Sequence, residues 1–179
     1  MHRIKQAGSG NLSTRGDSTR VCTEVKPGTL RKQISDRVAD AFEGVAARTG
    51  DVVDWFESPT ILRYQPGGYF MAHADSCLLD PASHNWFRVK DRDLSLLIYL
   101  NDDFTGGSIN FANFNYRFHP QMGDLLVFPS DNRYIHEAEK VKSGIRYVIV
   151  SWATVVGSAR VSNQLPPGAI RVSPKAWAR

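Results

Sequence analysis

Two periodicities divide the chain. From Leu30 the apolar positions Leu30, Ile34, Val38, Ala41, Phe42 and Val45 recur at helical spacing, while Arg31, Lys32, Asp36, Asp40 and Glu43 fall on the other faces. The pattern predicts one amphipathic α-helix of about five turns, with Thr29 as its N-cap and Gly50 as its stop. After Ser58-Pro59 the period shortens to two. Strands are expected at Thr60–Tyr64, Tyr69–Ala74, Leu94–Leu100, Ser108–Phe111, Asn115–Phe118, Asp124–Phe128, Tyr134–Glu137 and Ile145–Ala153. The turns between them are Gly67-Gly68, Asn101-Asp102-Asp103, Gly106-Gly107, Gln121-Met122-Gly123 and Ser143-Gly144. Eight short strands suit a sandwich or barrel of the jelly-roll kind, mainly β with one packing helix near the N-terminus. Leu94–Leu100 is almost wholly apolar and should be a central strand covered on both faces.

The flanks read differently. Met1–Thr19 carries few large apolar side chains and should be loosely held, with a short strand near Val21–Val25 docking on a sheet. Past Trp152, Gly157, Pro166-Pro167-Gly168 and Pro174 predict an irregular tail. The expected organisation is an N-terminal extension (1–26), a jelly-roll domain (27–156) and a C-terminal tail (157–179).

With 179 residues, 42% hydrophobic and 22% charged, the chain has the size and mix of one globular domain. Two cysteines, Cys22 and Cys77, are too few for a disulfide framework, which suggests a reducing interior. The N-terminal stretch lacks the apolar segment of a signal peptide and no apolar run reaches the length of a membrane span, so a cytoplasmic protein without a membrane partner is expected. The net charge of +4 comes largely from arginines and lysines near the two ends, Arg3, Lys5, Arg15 and Arg20 at one and Arg160, Arg171, Lys175 and Arg179 at the other. Solvated tails explain it better than a nucleic-acid partner does.

Chemistry enters at His73-Ala74-Asp75. In an extended chain, side chains two apart share a face, so an imidazole and a carboxylate are offered together to one metal ion. A third ligand must come from elsewhere, and His136 is the candidate; two histidines and one carboxylate with open positions form the facial triad of non-haem Fe(II) oxygenases. A lone His-x-Asp has no such force. Arg146 adds a second signal, because alternation puts it on one face with Val148, Val150 and Trp152. A guanidinium on an apolar face must meet an anion. That anion is either a protein carboxylate in a structural ion pair or a carboxylate-bearing ligand gripped by the planar fork.

Taken as a set, Tyr64-x-x-Gly67, His73-x-Asp75, Leu97-Ile98-Tyr99-Leu100-Asn101, Gly106-Gly107, Pro120-x-x-Gly123-Asp124-Leu125-Leu126-Val127-Phe128, His136, Gly144-Ile145-Arg146 and Trp152 resemble the prolyl 4-hydroxylase-like branch of the 2-oxoglutarate- and Fe(II)-dependent oxygenases. The resemblance covers about Thr60 to Ala153. It implies a double-stranded β-helix (jelly roll, cupin-like) with iron held by His73, Asp75 and His136. It further implies that Arg146, assisted by Tyr99, binds the distal carboxylate of 2-oxoglutarate, that Tyr64 lies near the metal-proximal end of this cosubstrate, and that Trp152 lines the pocket. The reaction implied is hydroxylation of a C–H bond with 2-oxoglutarate and O2 going to succinate and CO2, with ascorbate as an accessory reductant. The implied target is an amino-acid residue in a peptide or protein, proline first, with a free amino acid or other small molecule as the alternative.

The chain departs from that pattern twice. Phe70 stands where these enzymes often carry tyrosine, and Arg146 where collagen-type enzymes carry lysine. Two readings from other classes also stay open: a metal-binding cupin that is not an oxygenase, and a nucleic-acid demethylase on the same scaffold. The segment Ser76–Arg92 is long for a connection; with Trp86, Phe87, Arg88 and Lys90 it is either a lid over a substrate, Trp86 and Phe87 touching it, or a plain surface excursion. His84 and His119 lack partners at ligand spacing and should face solvent.

Overall fold

Pro27 starts a 3-10 turn over Gly28–Leu30, which runs directly into helix α1 (Arg31–Thr49). Thr29 is therefore inside the turn and is not the N-cap. The Leu30 and Arg31 N–H groups are taken by the Pro27 and Gly28 carbonyls, so the helix start needs no side-chain acceptor. Gly50 ends the helix as expected, in the left-handed conformation with φ 80° and its N–H on the Ala46 carbonyl. The computed structural model describes residues 19–172, so the expectation for Met1–Thr19 lies almost wholly outside the described residues, as do the final seven positions of the tail.

Antiparallel strands make up most of the remainder, in two main sheets. The smaller sheet contains β1 (Arg20–Val21), β5 (Tyr69–His73), β10 (Ile109–Phe111), β11 (Tyr116–Phe118) and β13 (His136–Ala138), in the spatial order β1-β5-β13-β10-β11. The larger sheet is built on β15 (Arg146–Val155). Along one edge β15 pairs with β8 (Leu94–Tyr99), which in turn pairs with β12 (Leu125–Pro129). Along the other edge it pairs with β4 (Thr60–Tyr64) and then, further along, with β3 (Val53–Phe56). β2 (Thr23–Val25) extends this sheet beside β4, and β16 (Ile170–Arg171) beside β3. Two sheets face to face with one helix behind give the jelly roll expected from the strand pattern.

Alternation explains how one strand serves two cores. Val148 and Val150 of β15, Leu97 and Tyr99 of β8, and Leu62 and Tyr64 of β4 point between the sheets, against Ile109, Phe111 and Phe128. Ile149 and Ala153, Leu94 and Leu96, and Ile61 point to the opposite side, where α1 covers them with Val38 and Phe42. The larger sheet is buried on both faces, which is why its central strands read as continuous apolar runs.

Six elements differ from expectation. β3 has the right composition but was hidden between the helix and Ser58-Pro59. The segment Ser76–Arg92 is not structureless: β6 (Cys77–Leu79) and β7 (Trp86–Arg88) pair within it as a hairpin. β9 (Thr105–Gly106) and β14 (Val141–Ser143) form a small ribbon at turns. β16 lies inside the stretch expected to be irregular, held by backbone pairing with Phe56 and Trp55 rather than by an apolar pattern of its own.

Candidate metal centre

β5 and β13 are neighbours in the smaller sheet, and their register puts His136 directly opposite His73. The two rings approach to 4.4 Å between centroids, and Phe70 stacks on the His73 ring at 3.7 Å and 19°. Phe70 thus fills the place of the expected tyrosine with a flat apolar support. Asp75 is not on the strand with His73, as extended geometry had suggested. β5 ends at His73, and Asp75 sits in the following bend, which turns its carboxylate back between the two imidazoles. His73 Nε2 lies 3.5 Å from Asp75 Oδ1, and His136 Nε2 lies 3.6 Å from Oδ2.

Hydrogen bonding sets the tautomers. His73 Nδ1–H donates to the Met71 carbonyl at 2.8 Å and His136 Nδ1–H to the Tyr134 carbonyl at 3.0 Å. A carbonyl only accepts, so each ring carries its proton on Nδ1 and aims an Nε2 lone pair at the carboxylate. Burial pushes the His136 imidazolium pKa down, outweighing the pull of Asp75, and so favours the neutral base that a metal needs. Burial alone would push the Asp75 carboxyl up; the hydrogen bonds and charges of His73, His136 and Ser95 outweigh it and hold the group well below the usual carboxylate range. The donor atoms of all three residues lie within 4.8 Å of one another. Ligands about 2.1 Å from one ion on adjacent octahedral positions stand about 3 Å apart. Two oriented lone pairs and an ionised carboxylate at nearly that spacing fit a divalent cation.

The carboxylate is held from behind. Ser95 Oγ donates to Asp75 Oδ2 at 2.7 Å and lies 2.7 Å from Ser130 Oγ, both serines being buried. Arg92 forms a two-pronged pair with Glu57 at 2.5 and 2.7 Å, reaches the Asp75 carbonyl at 3.3 Å and lies 3.6 Å over the Trp152 ring. None of Ser95, Ser130, Arg92 or Glu57 emerged as a site residue from the sequence. A signal existed for Ser95, the polar break in an apolar strand, in phase with the inward Leu97 and Tyr99.

The same cavity, about 50 Å³, runs from the three ligands to Arg146, past walls that include Tyr64, Leu62, Phe128 and Trp152. Arg146 is 1% exposed and pairs with no carboxylate among the described residues. Its Nη1 donates to the Gly107 carbonyl at 2.6 Å, its guanidinium carbon sits 4.0 Å over the Tyr64 ring, and Nε has no partner. Tyr99, behind the wall, has a buried hydroxyl without a partner; burial pushes its pKa up despite the Arg146 charge. Orphaned donors are costly unless a ligand meets them. A small diacid fits this end, with one carboxylate for the unpaired guanidinium edge. The protein-carboxylate alternative for Arg146 finds no partner among the described residues. Gly107, with φ +65°, makes the room: a Cβ there would stand 3.3 Å from the Arg146 Cδ.

Trp152 lines the cavity, whereas Trp86 and Phe87 do not; they are 37% and 49% exposed on the β6–β7 hairpin. His84 and His119 are exposed, and His119 shares a hydrogen bond with Ser108 away from the centre. A further guanidinium, Arg20 on β1, lines the cavity although the sequence reading had placed it in a solvated tail.

The family model described as the 2OG-Fe(II) oxygenase superfamily matches residues 59–154. A protein of Acanthamoeba polyphaga mimivirus, provisionally named a prolyl 4-hydroxylase, is 33% identical over 125 residues, 64% of this chain and 52% of that protein, so the chain spans about half the length of this relative. Among solved structures, a viral collagen prolyl hydroxylase from Paramecium Bursaria Chlorella virus-1, with 2OG bound, aligns with TM-score 0.60 at 23% identity over 75% of this chain and 77% of that one. A Trichoplax adhaerens prolyl hydroxylase in complex with a peptide fragment of the hypoxia inducible factor oxygen degradation domain aligns at 0.58 and 19%, over 81% and 69%. At these identities the two structures establish a shared fold.

Proposed function

From the premise that the chain belongs to the 2OG-Fe(II) oxygenase superfamily, we propose that it is an Fe(II)- and 2-oxoglutarate-dependent dioxygenase that hydroxylates a C–H bond of an amino-acid residue, prolyl first. One observation carries the reading: two oriented Nε2 lone pairs and a carboxylate share a cavity with a buried arginine that no protein carboxylate neutralises. When bound, Fe(II) with 2-oxoglutarate and O2 supplies the oxidising chemistry, releasing succinate and CO2 as one oxygen atom passes to the substrate.

The residues do the positioning. His73, Asp75 and His136 would hold the metal. Arg146 grips the far carboxylate of 2-oxoglutarate with its unpaired Nε edge, the Tyr99 hydroxyl stands by as a second donor, and Tyr64 supports the guanidinium from below. Leu62, Phe128 and Val150 keep water from the reacting groups, and Trp152, held flat by Arg92, walls the substrate side. The hairpin carrying Trp86 and Phe87 is proposed as the cover over a bound peptide, since it leaves Leu78, Leu79, Trp86 and Phe87 together at the surface.

The domain assignment, with an oxygenase unit over 27–156, is proposed with this function. Two free cysteines support a reducing, cytoplasmic setting; no helix among the described residues is long and apolar enough to cross a membrane. Ascorbate is proposed as the reductant that restores Fe(II) after uncoupled turnover. The test is succinate formation from 2-oxoglutarate with iron and O2, together with mass spectrometry of proline-containing peptides for a one-oxygen gain. His136→Ala should lose both succinate formation and Co(II) binding while keeping the wild-type circular dichroism spectrum. Retention of Co(II) affinity by that variant would remove His136 from the ligand set.

A further inference from the structure

Arg146 is not the only guanidinium in the cavity. Arg20 lines it from the opposite sheet, and its place is fixed rather than free: β1 pairs Arg20 with Phe70, Met71 N–H donates to the Thr19 carbonyl at 2.8 Å, and the guanidinium carbon lies 5.4 Å from the Phe70 ring centre. That ring is the one stacked on His73. A second cation stands nearby. Lys90 follows β7, and its main-chain N–H reaches the carbonyl of Ser76, the residue after Asp75. Burial lowers its pKa first, the Arg92 charge lowers it further, and Arg20 adds to the same repulsion while Glu57 and Asp75 oppose it.

Among the described residues, the carboxylates nearest the metal ligands are already taken. Glu57 is held by Arg92, Asp131 by Arg133, and Asp75 faces the two histidines. Among the described residues neither Arg20 nor Lys90 has an anionic partner. Arg20 thus stands on the cavity wall without an anionic partner among the described residues, and Lys90 adds positive charge beside the bend that carries Asp75.

We propose that the substrate presents a carboxylate to Arg20 on the cavity wall, with Lys90 adding positive charge nearby, while its reacting C–H bond faces His73, Asp75 and His136. This rests on the dioxygenase reading above and adds the charge class of the substrate. The carboxylate comes from an Asp or Glu beside the target residue of a peptide, or from the α-carboxylate of a free amino acid. Held there, the anion orients the neighbouring carbon toward the metal and adds a long-range attraction that speeds encounter at low salt.

Equilibrium binding to the Co(II)-loaded protein with 2-oxoglutarate tests it without turnover. The probes are capped proline peptides with acidic, neutral or basic flanks, free proline, and an RNA oligonucleotide matched in charge to the acidic peptide. The acidic peptide should bind about tenfold tighter than the basic one, with the gap closing as salt rises. Arg20→Glu should invert that order, Lys90→Glu should shrink it, and Arg20→Lys should keep it. Tighter binding of free proline than of the neutral capped peptide would assign the anion to an α-carboxylate; the reverse assigns it to a side chain. Equal affinity across the charge series, an order that survives Arg20→Glu, or RNA binding as tight as the acidic peptide would overturn the proposal. Charge-ordered binding without any succinate formation would sink the dioxygenase reading and leave the anion site standing. Succinate formation without charge ordering would do the opposite.

Discussion

A serine hydroxyl has one proton to give, and at Ser95 that count fixes the polarity of a chain. Asp75, ionised, can only accept, so the Ser95 proton goes to Oδ2 and Ser130 must donate to Ser95 in turn. Oδ2 is thereby occupied, and Oδ1 is the freer oxygen for a metal. Ser95→Ala removes the donor and leaves the Ser130 hydroxyl facing an apolar methyl. Partners of this kind are worth about 10–100-fold in metal affinity, and the lost buried hydrogen bond about 1 kcal/mol in stability. Co(II) titration of Ser95→Ala should show that weakening, with Ser95→Thr close to wild type; an unchanged dissociation constant would mean that the histidines alone orient the carboxylate. Arg146 makes the complementary case. Arg146→Lys keeps a charge but loses the planar fork over Tyr64 and the contact with Gly107. Its dissociation constant for 2-oxoglutarate should rise about tenfold or more while that for Co(II) moves much less. Equal rises in both would assign Arg146 to the architecture of the centre instead of to the cosubstrate.

Elements bring these residues together, and how well each could be read in advance follows from whether its signal was local. His73 and His136 face each other because two strands pair in one register; the residue types were legible, the register was not. β8 and β15 were visible because burial on both faces leaves an uninterrupted apolar run. The bend that carries Asp75, the cap that Thr29 does not supply and the pairing of β16 depend on backbone partners remote from any side-chain pattern. The Arg92–Glu57 pair is the clearest gap. It joins the end of β3, the start of β8 and the Trp152 face of β15 across 35 residues of chain, and no spacing rule connects its members. Removing one partner of a buried pair strands the other, at a cost of about 3 kcal/mol. Glu57→Gln and Arg92→Met should each lower the thermal midpoint, and the double variant should lose less than the sum, as a chemical-denaturation cycle would show. Strict additivity would mean that the pair contributes packing and no electrostatic coupling.

At the scale of the molecule, a centre built from two histidines and an aspartate between sheets ties metal binding to the stability of the fold. The sign follows from the two shifts. His136 has a folded-state pKa below its unfolded value, so between those values the unfolded chain binds the extra proton and stability falls as the pH drops below about 6.5. Asp75 is also depressed, so its contribution is full above about 4 and is lost in more acidic solution. Both groups therefore favour the metal-free fold at neutral pH, and protonation of His136 in the folded chain, which removes a metal ligand, comes at a pH below that window. A metal that binds only the folded state adds about 2.7 kcal/mol at a free concentration of 100 times its dissociation constant, about 5–10 °C in midpoint for a chain of this size. Thermal unfolding with Co(II) should show that increment near pH 7.5 and less of it near pH 5.5, with chelator returning the neutral-pH curve to the metal-free one. In His136→Phe, which keeps the buried ring volume, the increment should vanish at both pH values. An increment that persisted there would mean that the cation stabilises the protein from some other part of its surface.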